Sequence, residues 1–397
     1  MKKCENCGAM IPDEAMFCPE CGAQNMKNKI EKKSKKKSWI IILCLICFVA
    51  GTVFAVNKFM MSNNDQNGIK NNRTVLYNHY IYYLENGILY KQDADVKSAS
   101  RVMKLPCEIK GNNVDMCRNL KVYKDRLYAV REERNDKKSE VYILSINLDG
   151  TEYKKEIVPP KFRDEDGTSY QGYLDQFSIE NDTIYYTYSD YPVAYYHIYK
   201  HEIGDSKSVD TKQEIEETPV LFGKYVYYMK DDNKKSEVIK RDLETEEEIE
   251  ELTVQELNEK GYSLGVGKEK IAFSTDSSII WKNSKKDDNY NIKNVGSTTA
   301  LTYITNMSNE EVIYNSDDIY YKLNIKKNTF QKLFSEKLMK KDFNASIGGI
   351  DQVGDDLVIY GCFDDEDEKG FLFFIEEEEG KDYENSIWKM LARYRDD

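Results

Sequence analysis

The chain is short of histidine: His79, His197 and His201 are the only three among 397 residues. None follows residue 201, so no nucleophile met later in the chain has a downstream histidine to activate it. His197 and His201 stand four apart, and extended chain would set them too far apart for one ion. Basic residues are also outnumbered, 57 against 70. Residues 1–58 hold ten of the basic residues, all lysine, and five of the acidic ones. The remainder therefore carries 47 basic and 65 acidic residues, a net charge of −18. That excess argues against direct binding of DNA or of an anionic surface there. It fits solubility, cations or a basic partner.

Long apolar runs are scarce too, and one stands alone. Trp39 to Val56 contains no charge. As a helix it spans about 27 Å, close to the roughly 30 Å of a bilayer's hydrocarbon core. Seven lysines lie between Lys27 and Lys37, whereas only Lys58 and Lys70 follow before Arg73. Positive charge stays on the cytoplasmic side, so the N-terminus is expected inside and everything after residue 58 outside. The lysines also attract anionic lipid, which explains them better than nucleic-acid binding does. A cleaved signal peptide, with Val53-Phe54-Ala55 as the cleavage site, is the competing reading. The run is too long for one, and 38 residues precede it. Cys44 and Cys47 fall inside the apolar run and read as small apolar residues.

Cysteine is concentrated at the start. Cys4-Glu5-Asn6-Cys7 and Cys18-Pro19-Glu20-Cys21 are separated by ten residues, and a glycine follows each pair. Two Cys-x-x-Cys turns bring four thiolates to one ion, closing a tetrahedral zinc site with no position left for water. A peptide this short depends on its metal to fold. The segment from Cys4 to Gln24, with its Ile11-Pro12-Asp13 turn and Phe17-Cys18-Pro19-Glu20-Cys21-Gly22, resembles the short zinc-ribbon family at the N-termini of bacterial membrane proteins. The resemblance implies a zinc-binding knuckle held by Cys4, Cys7, Cys18 and Cys21.

Beyond the Asn-rich residues 62–72 one pattern recurs: a polar turn, an aliphatic-aromatic strand, a polar gap and a second apolar strand. Tyr80-Ile81-Tyr82-Tyr83, Thr183-Ile184-Tyr185-Tyr186 and Tyr225-Val226-Tyr227-Tyr228 are examples of the first strand. Anchors at Ile81, Leu127, Ile184, Val226, Ile271, Val312 and Val358 are spaced by 46, 57, 42, 45, 41 and 46 residues. A period near 45 built from short strands predicts β-propeller blades. Continuous apolar runs suit strands covered on both faces. Seven such blades fit residues 73–397. Trp281 and Trp388 are the only tryptophans here, which excludes a Trp-rich choline-binding array. The pattern resembles Tyr-rich extracellular propeller domains, distantly like those of low-density-lipoprotein-receptor proteins, with Ile-Tyr-Tyr in place of Tyr-Trp-Thr-Asp.

All 30 tyrosines follow residue 58. Most belong to strand cores and edges; the others would line a binding face. Gly261-Tyr262-Ser263-Leu264-Gly265 has the letters of a nucleophile elbow, but a helix-like segment precedes it and a strand follows, the reverse of what an elbow needs. Asp365-x-Asp367-x-Lys369-Gly370, with Glu376 beyond, approaches a calcium loop but has a lysine where a ligand belongs. It reads as an acidic turn. Cys107 and Cys117 would close a local loop if paired, and Cys362 makes the outer count odd.

The expectation is an all-β protein of about seven propeller blades preceded by a transmembrane helix and a zinc ribbon. Its parts are a ribbon at 1–25, a basic linker at 26–38, a membrane helix at 39–58, a stalk at 59–73, a propeller at 74–384 and a tail at 385–397. A non-enzymatic role in recognition or scaffolding at the cell surface is expected, with zinc as cofactor. Membrane lipid and a protein or glycan are the expected partners, and nucleic acid is not. The competing readings are an extracellular enzyme or enzyme subunit, and a signalling protein whose ribbon meets a cytosolic partner.

Overall fold

The computed structural model describes residues 1–13, 15, 17–23 and most of 72–396, omitting intervening segments of up to nine residues. The expected membrane helix at 39–58 lies outside the described residues. Among those described, no helix is long and apolar enough to cross a membrane. The chain divides into two units, Met1–Phe59 and Met60–Asp397.

The second unit is all-β apart from two helices. Its described residues form seven antiparallel sheets in which every strand pairs with its neighbour in sequence. Sheet 1 runs from Thr74 to Leu105, sheet 2 from Asp115 to Ile157 and sheet 3 from Tyr173 to Ile215. Sheet 4 runs from Val220 to Gln255, sheet 5 from Ser263 to Asn294 and sheet 6 from Thr302 to Ser335. Each of these has four strands, whereas sheet 7, Ala345 to Glu376, has three. A separate hairpin, Lys161–Arg163 with Ser169–Gln171, is inserted between sheets 2 and 3. It accounts for the 57-residue interval.

The first two strands of sheets 1, 2 and 3 meet in two-residue turns, Asn78-His79, Lys124-Asp125 and Asn181-Asp182, with both residues at positive φ. Such turns match the right-handed twist of the flanking strands, and Asn and Asp tolerate the conformation. Five of the sheets then repeat one bond. The backbone N–H of Ala94, Leu148, Ile203, Leu243 and Ile325 donates to the carbonyl of His79, Asp125, Asp182, Lys224 and Glu310, respectively. These pairs are equivalent in register, so they tie the third strand to the turn in sheets 1, 2, 3, 4 and 6.

The core is divided among the spaces between sheets. Separate apolar clusters join sheets 1 and 2, 2 and 3, 3 and 4, 4 and 5, and 5 and 6. Another joins sheets 6 and 7, and a seventh places Ile81 and Tyr83 of sheet 1 against Val358, Tyr360 and Leu372 of sheet 7. Both faces of the second strand are thereby covered: all seven residues of Thr183–Ser189 are buried.

Two expectations are corrected. The last repeat anchor is Leu357, not Val358, because Leu357 opposes Gln352 as Ile81 opposes Leu76. Both residues are fully buried, so apolar character alone gives no register. The expected tail contains a helix instead. Helix α1 (Glu336–Phe343) follows sheet 6, and helix α2 (Tyr383–Asp396) closes the chain. Tyr383, Ile387 and Leu391, four residues apart, bury one stripe of α2 in the cluster of sheets 6 and 7.

Candidate functional site: a four-cysteine knuckle and a tyrosine-bearing sheet end

The first unit forms two equivalent turns. In the first, Cys4 N–H donates to Ala9 O at 2.8 Å and Gly8 N–H to Cys4 O at 2.9 Å. In the second, Cys18 N–H donates to Ala23 O at 2.9 Å and Gly22 N–H to Cys18 O at 2.8 Å. Gly8 and Gly22 sit at φ +75° and +66°, where a side chain has space but the backbone strains it. The pairing of Lys2–Lys3 with Met10–Ile11 holds the first turn.

The two turns bring Cys4, Cys7, Cys18 and Cys21 together, with all four sulfurs within 4.8 Å of one another. Cys4 Sγ lies 3.7 Å from Cys21 Sγ, and Cys7 Sγ 3.6 Å from Cys18 Sγ. Thiolates 2.3 Å from a tetrahedral ion stand about 3.8 Å apart, so the residues fit the metal that the spacing predicts. Backbone N–H groups of Cys7 and Asn6 hold the Cys4 thiol below its ordinary range. The Ala23 N–H and the Asn6 side-chain amide hold Cys21 down to about 6. At Cys7 the Ala9 N–H favours the thiolate, but the neighbouring sulfurs, Cys21 first, and burial push it up to about 12. Four sulfurs this close resist ionising together, and a cation removes that resistance.

In the second unit, three features converge at the start of sheet 3. Its first strand is bulged between Leu174 and Phe177, as that of sheet 2 is between Arg118 and Lys121. Bulges of this kind re-aim side chains. Arg118 donates to Leu174 O and Asp175 O, both at 2.9 Å, and its guanidinium lies 5.0 Å from the Tyr173 ring centre. Asn119, at φ +57°, donates to the same Asp175 carbonyl at 2.6 Å. Tyr173 stays 46% exposed on this fixed support, and Tyr195, just before the strand Tyr196–Glu202 of the same sheet, is 43% exposed.

The inserted hairpin docks beside them. Gln171 bonds both the N–H and the carbonyl of Val141, and Phe162 stacks on Tyr188 with ring centres 5.0 Å apart. Gly172 N–H donates to Tyr188 OH at 2.6 Å; a Cβ at this glycine would lie 2.2 Å from Ser189 O.

The other sequence candidates do not assemble. Ser263 opens a strand that leads directly to another strand, so the elbow letters carry no elbow. His197 and His201 share the strand Tyr196–Glu202; His197 faces Glu214 at 3.3 Å, while His201 is buried beside Ser208. Residues 364–369 of the calcium-like segment, and Cys107, lie outside the described residues. Cys117 is buried and Cys362 half-buried. Among the described residues the four cysteines are the one cluster suited to a metal ion.

Residues 3–25 match the zinc-ribbon domain family. No curated protein matches the chain. Solved structures similar to it include a prolyl endopeptidase, at 12% identity and a TM-score of 0.45, covering 81% of this chain and 52% of that one. The acylaminoacyl peptidase of Pyrococcus horikoshii is 12% identical, with a TM-score of 0.43 and coverage of 71% and 48%. The β-propeller domain of the trilobed protease from Pyrococcus furiosus is 12% identical, with a TM-score of 0.38 and coverage of 66% and 83%. The chain thus spans about half the length of the first two peptidases. The similar structures include peptidases, which corrects the expectation of a non-enzymatic protein; at this identity they show the fold alone and assign this chain no activity.

Proposed function

We propose that the chain is a single-pass membrane protein, with a cytoplasmic zinc ribbon and an extracellular seven-bladed propeller that recognises a partner at the cell surface. The observation that carries the ring is the seventh apolar cluster, which sets sheet 7 against sheet 1 as every other sheet is set against the next. A ring has two loop-rich ends. The end bearing Tyr173 and Tyr195 suits a protein or glycan, because tyrosine gives amphipathic contact area at low entropic cost. The apolar run at 39–56 and the lysines before it support the membrane placement, with those lysines against anionic lipid. Zinc held by Cys4, Cys7, Cys18 and Cys21 is structural, since four protein ligands leave no open position.

Binding of the full chain in detergent micelles to a panel of bacterial surface glycans and secreted proteins tests the recognition role. The double substitution Tyr173→Ala, Tyr195→Ala should abolish the binding found and leave the unfolding temperature within about 2 °C. Binding that survives it would refute the proposed face. A membrane-impermeant thiol reagent should label Ser62→Cys and miss Asn28→Cys in intact cells; the reverse would refute the orientation.

A further inference from the structure

The contact between sheets 7 and 1 has a fully buried carboxyl group at its centre. Asp351, on the first strand of sheet 7, is 2% exposed. Its Oδ2 accepts three hydrogen bonds from the residues that begin sheet 1: Arg73 N–H at 2.8 Å, Thr74 N–H at 3.0 Å and Thr74 Oγ1–H at 2.8 Å. On its other side Tyr360 OH lies 3.5 Å from Oδ1. At the equivalent register position sheets 1, 4 and 5 have Val75, Val220 and Gly265. Sheets 2, 3 and 6 have Lys121, Ser178 and Asn306 there, so sheet 7 alone among these seven sheets has an acid at this position.

We propose that Asp351 is a proton-operated latch: protonation of its carboxyl favours the closed seam between sheets 7 and 1, and ionisation favours opening. The reasoning is electrostatic. A carboxylate without a full ion-pair partner is costly to bury, even when it accepts several hydrogen bonds. Among the described residues, the cation that acts on Asp351 is Arg73, whose guanidinium lies over the Tyr360 ring, 4.9 Å from its centre. Tyr320 of sheet 6 acts on Tyr360 as well. Gln352, next in the strand, donates to Glu311 of sheet 6, and Glu311 lies 3.6 Å from Lys322. Lys121 of sheet 2 is directed at Phe177 of sheet 3. The action of Arg73 on Asp351 is thus set against the burial of the carboxyl.

Burial pushes the Asp351 carboxyl up from its ordinary 3.8 to about 7, against the opposing pull of Thr74 and Arg73. When the seam opens, water reaches the group and its affinity for the proton falls. The closed seam therefore binds the proton more tightly than the open one. Its extra stability is complete below about pH 4 and is lost as pH rises through about 7.

Hydrogen exchange of the full chain, corrected for the intrinsic pH dependence of exchange, tests this. Protection of residues 72–77 and 345–353 should fall by up to about tenfold per pH unit between pH 4 and 7, while that of sheets 3 and 4 stays level. Asp351→Asn should remove the dependence. Flat protection in the wild type, or an unchanged dependence in the variant, would overturn the latch. Should Asp351→Asn fail to fold, Thr74→Val decides the matter. It removes one donor from the carboxylate, so the midpoint should move to higher pH. An unmoved midpoint would overturn the proposal.

Discussion

The Tyr77 hydroxyl donates to Asp125 Oδ1 at 2.8 Å, linking the end of the first strand of sheet 1 to the turn of sheet 2. The same relation recurs one sheet on, where Asp182 N–H, in the turn of sheet 3, donates to Tyr123 OH at 3.0 Å. It recurs again with a carboxylate, where Lys224 N–H donates to Glu180 Oε2 at 2.7 Å. The repeat therefore includes a polar stitch between neighbours as well as the apolar cluster beneath it.

Tyr77→Phe deletes one such stitch and keeps the ring of the side chain. It should cost about 1 kcal/mol, the usual net worth of one hydrogen bond. Chemical unfolding should show a lower midpoint at an unchanged slope. A loss above about 3 kcal/mol would mean that the stitch does more than join two sheets.

The ribbon should hold one zinc ion per chain, and Cys18→Ser should abolish it. Cys18 is buried at the start of the second turn, so its loss also removes the packing against Ile11. Elemental analysis of the full chain measures the first outcome. Zinc retained at full occupancy in the variant would exclude this ligand set.

Lys121 is buried with its ammonium 5.5 Å from the Phe177 ring centre, and burial holds its pKa down at about 7 against an ordinary 10.5. Between those values the unfolded chain carries the proton and the folded chain does not, so stability rises with pH across that window. Lys121→Met should remove the rise. The variant's gain over the wild type should be largest at pH 7 and below, and should shrink toward pH 10. Denaturant midpoints at pH 7, 8.5 and 10 check this; a gain that does not change with pH would contradict it.

Much of the architecture of the second unit was legible because the second strand of a repeat is covered on both faces, which forces runs such as Ile184-Tyr185-Tyr186. The same cause hid the register at Leu357 and Val358, since neither face is polar. Fourth strands were faint because one face meets solvent: Glu248–Gln255 carries three glutamates in eight residues, and Val209, Ile249, Ile292 and Phe330 are exposed. Helix α2 has a readable signal in the four-residue spacing of Tyr383, Ile387 and Leu391. Asp351 gave none, because an isolated acid in a strand reads as a surface charge until its partner, 277 residues away, is known.

The chain begins sheet 1 at the place where sheets 7 and 1 meet. Asn72 Nδ2 donates to Thr74 O and to Leu120 O of sheet 2, both at 2.8 Å, while Arg73 and Thr74 hold Asp351 of sheet 7. Tension on the chain ahead of residue 72 thus reaches three sheets at once. It is met by anchors on either side of sheet 1, which divide the force, and no single strand is left to peel away alone.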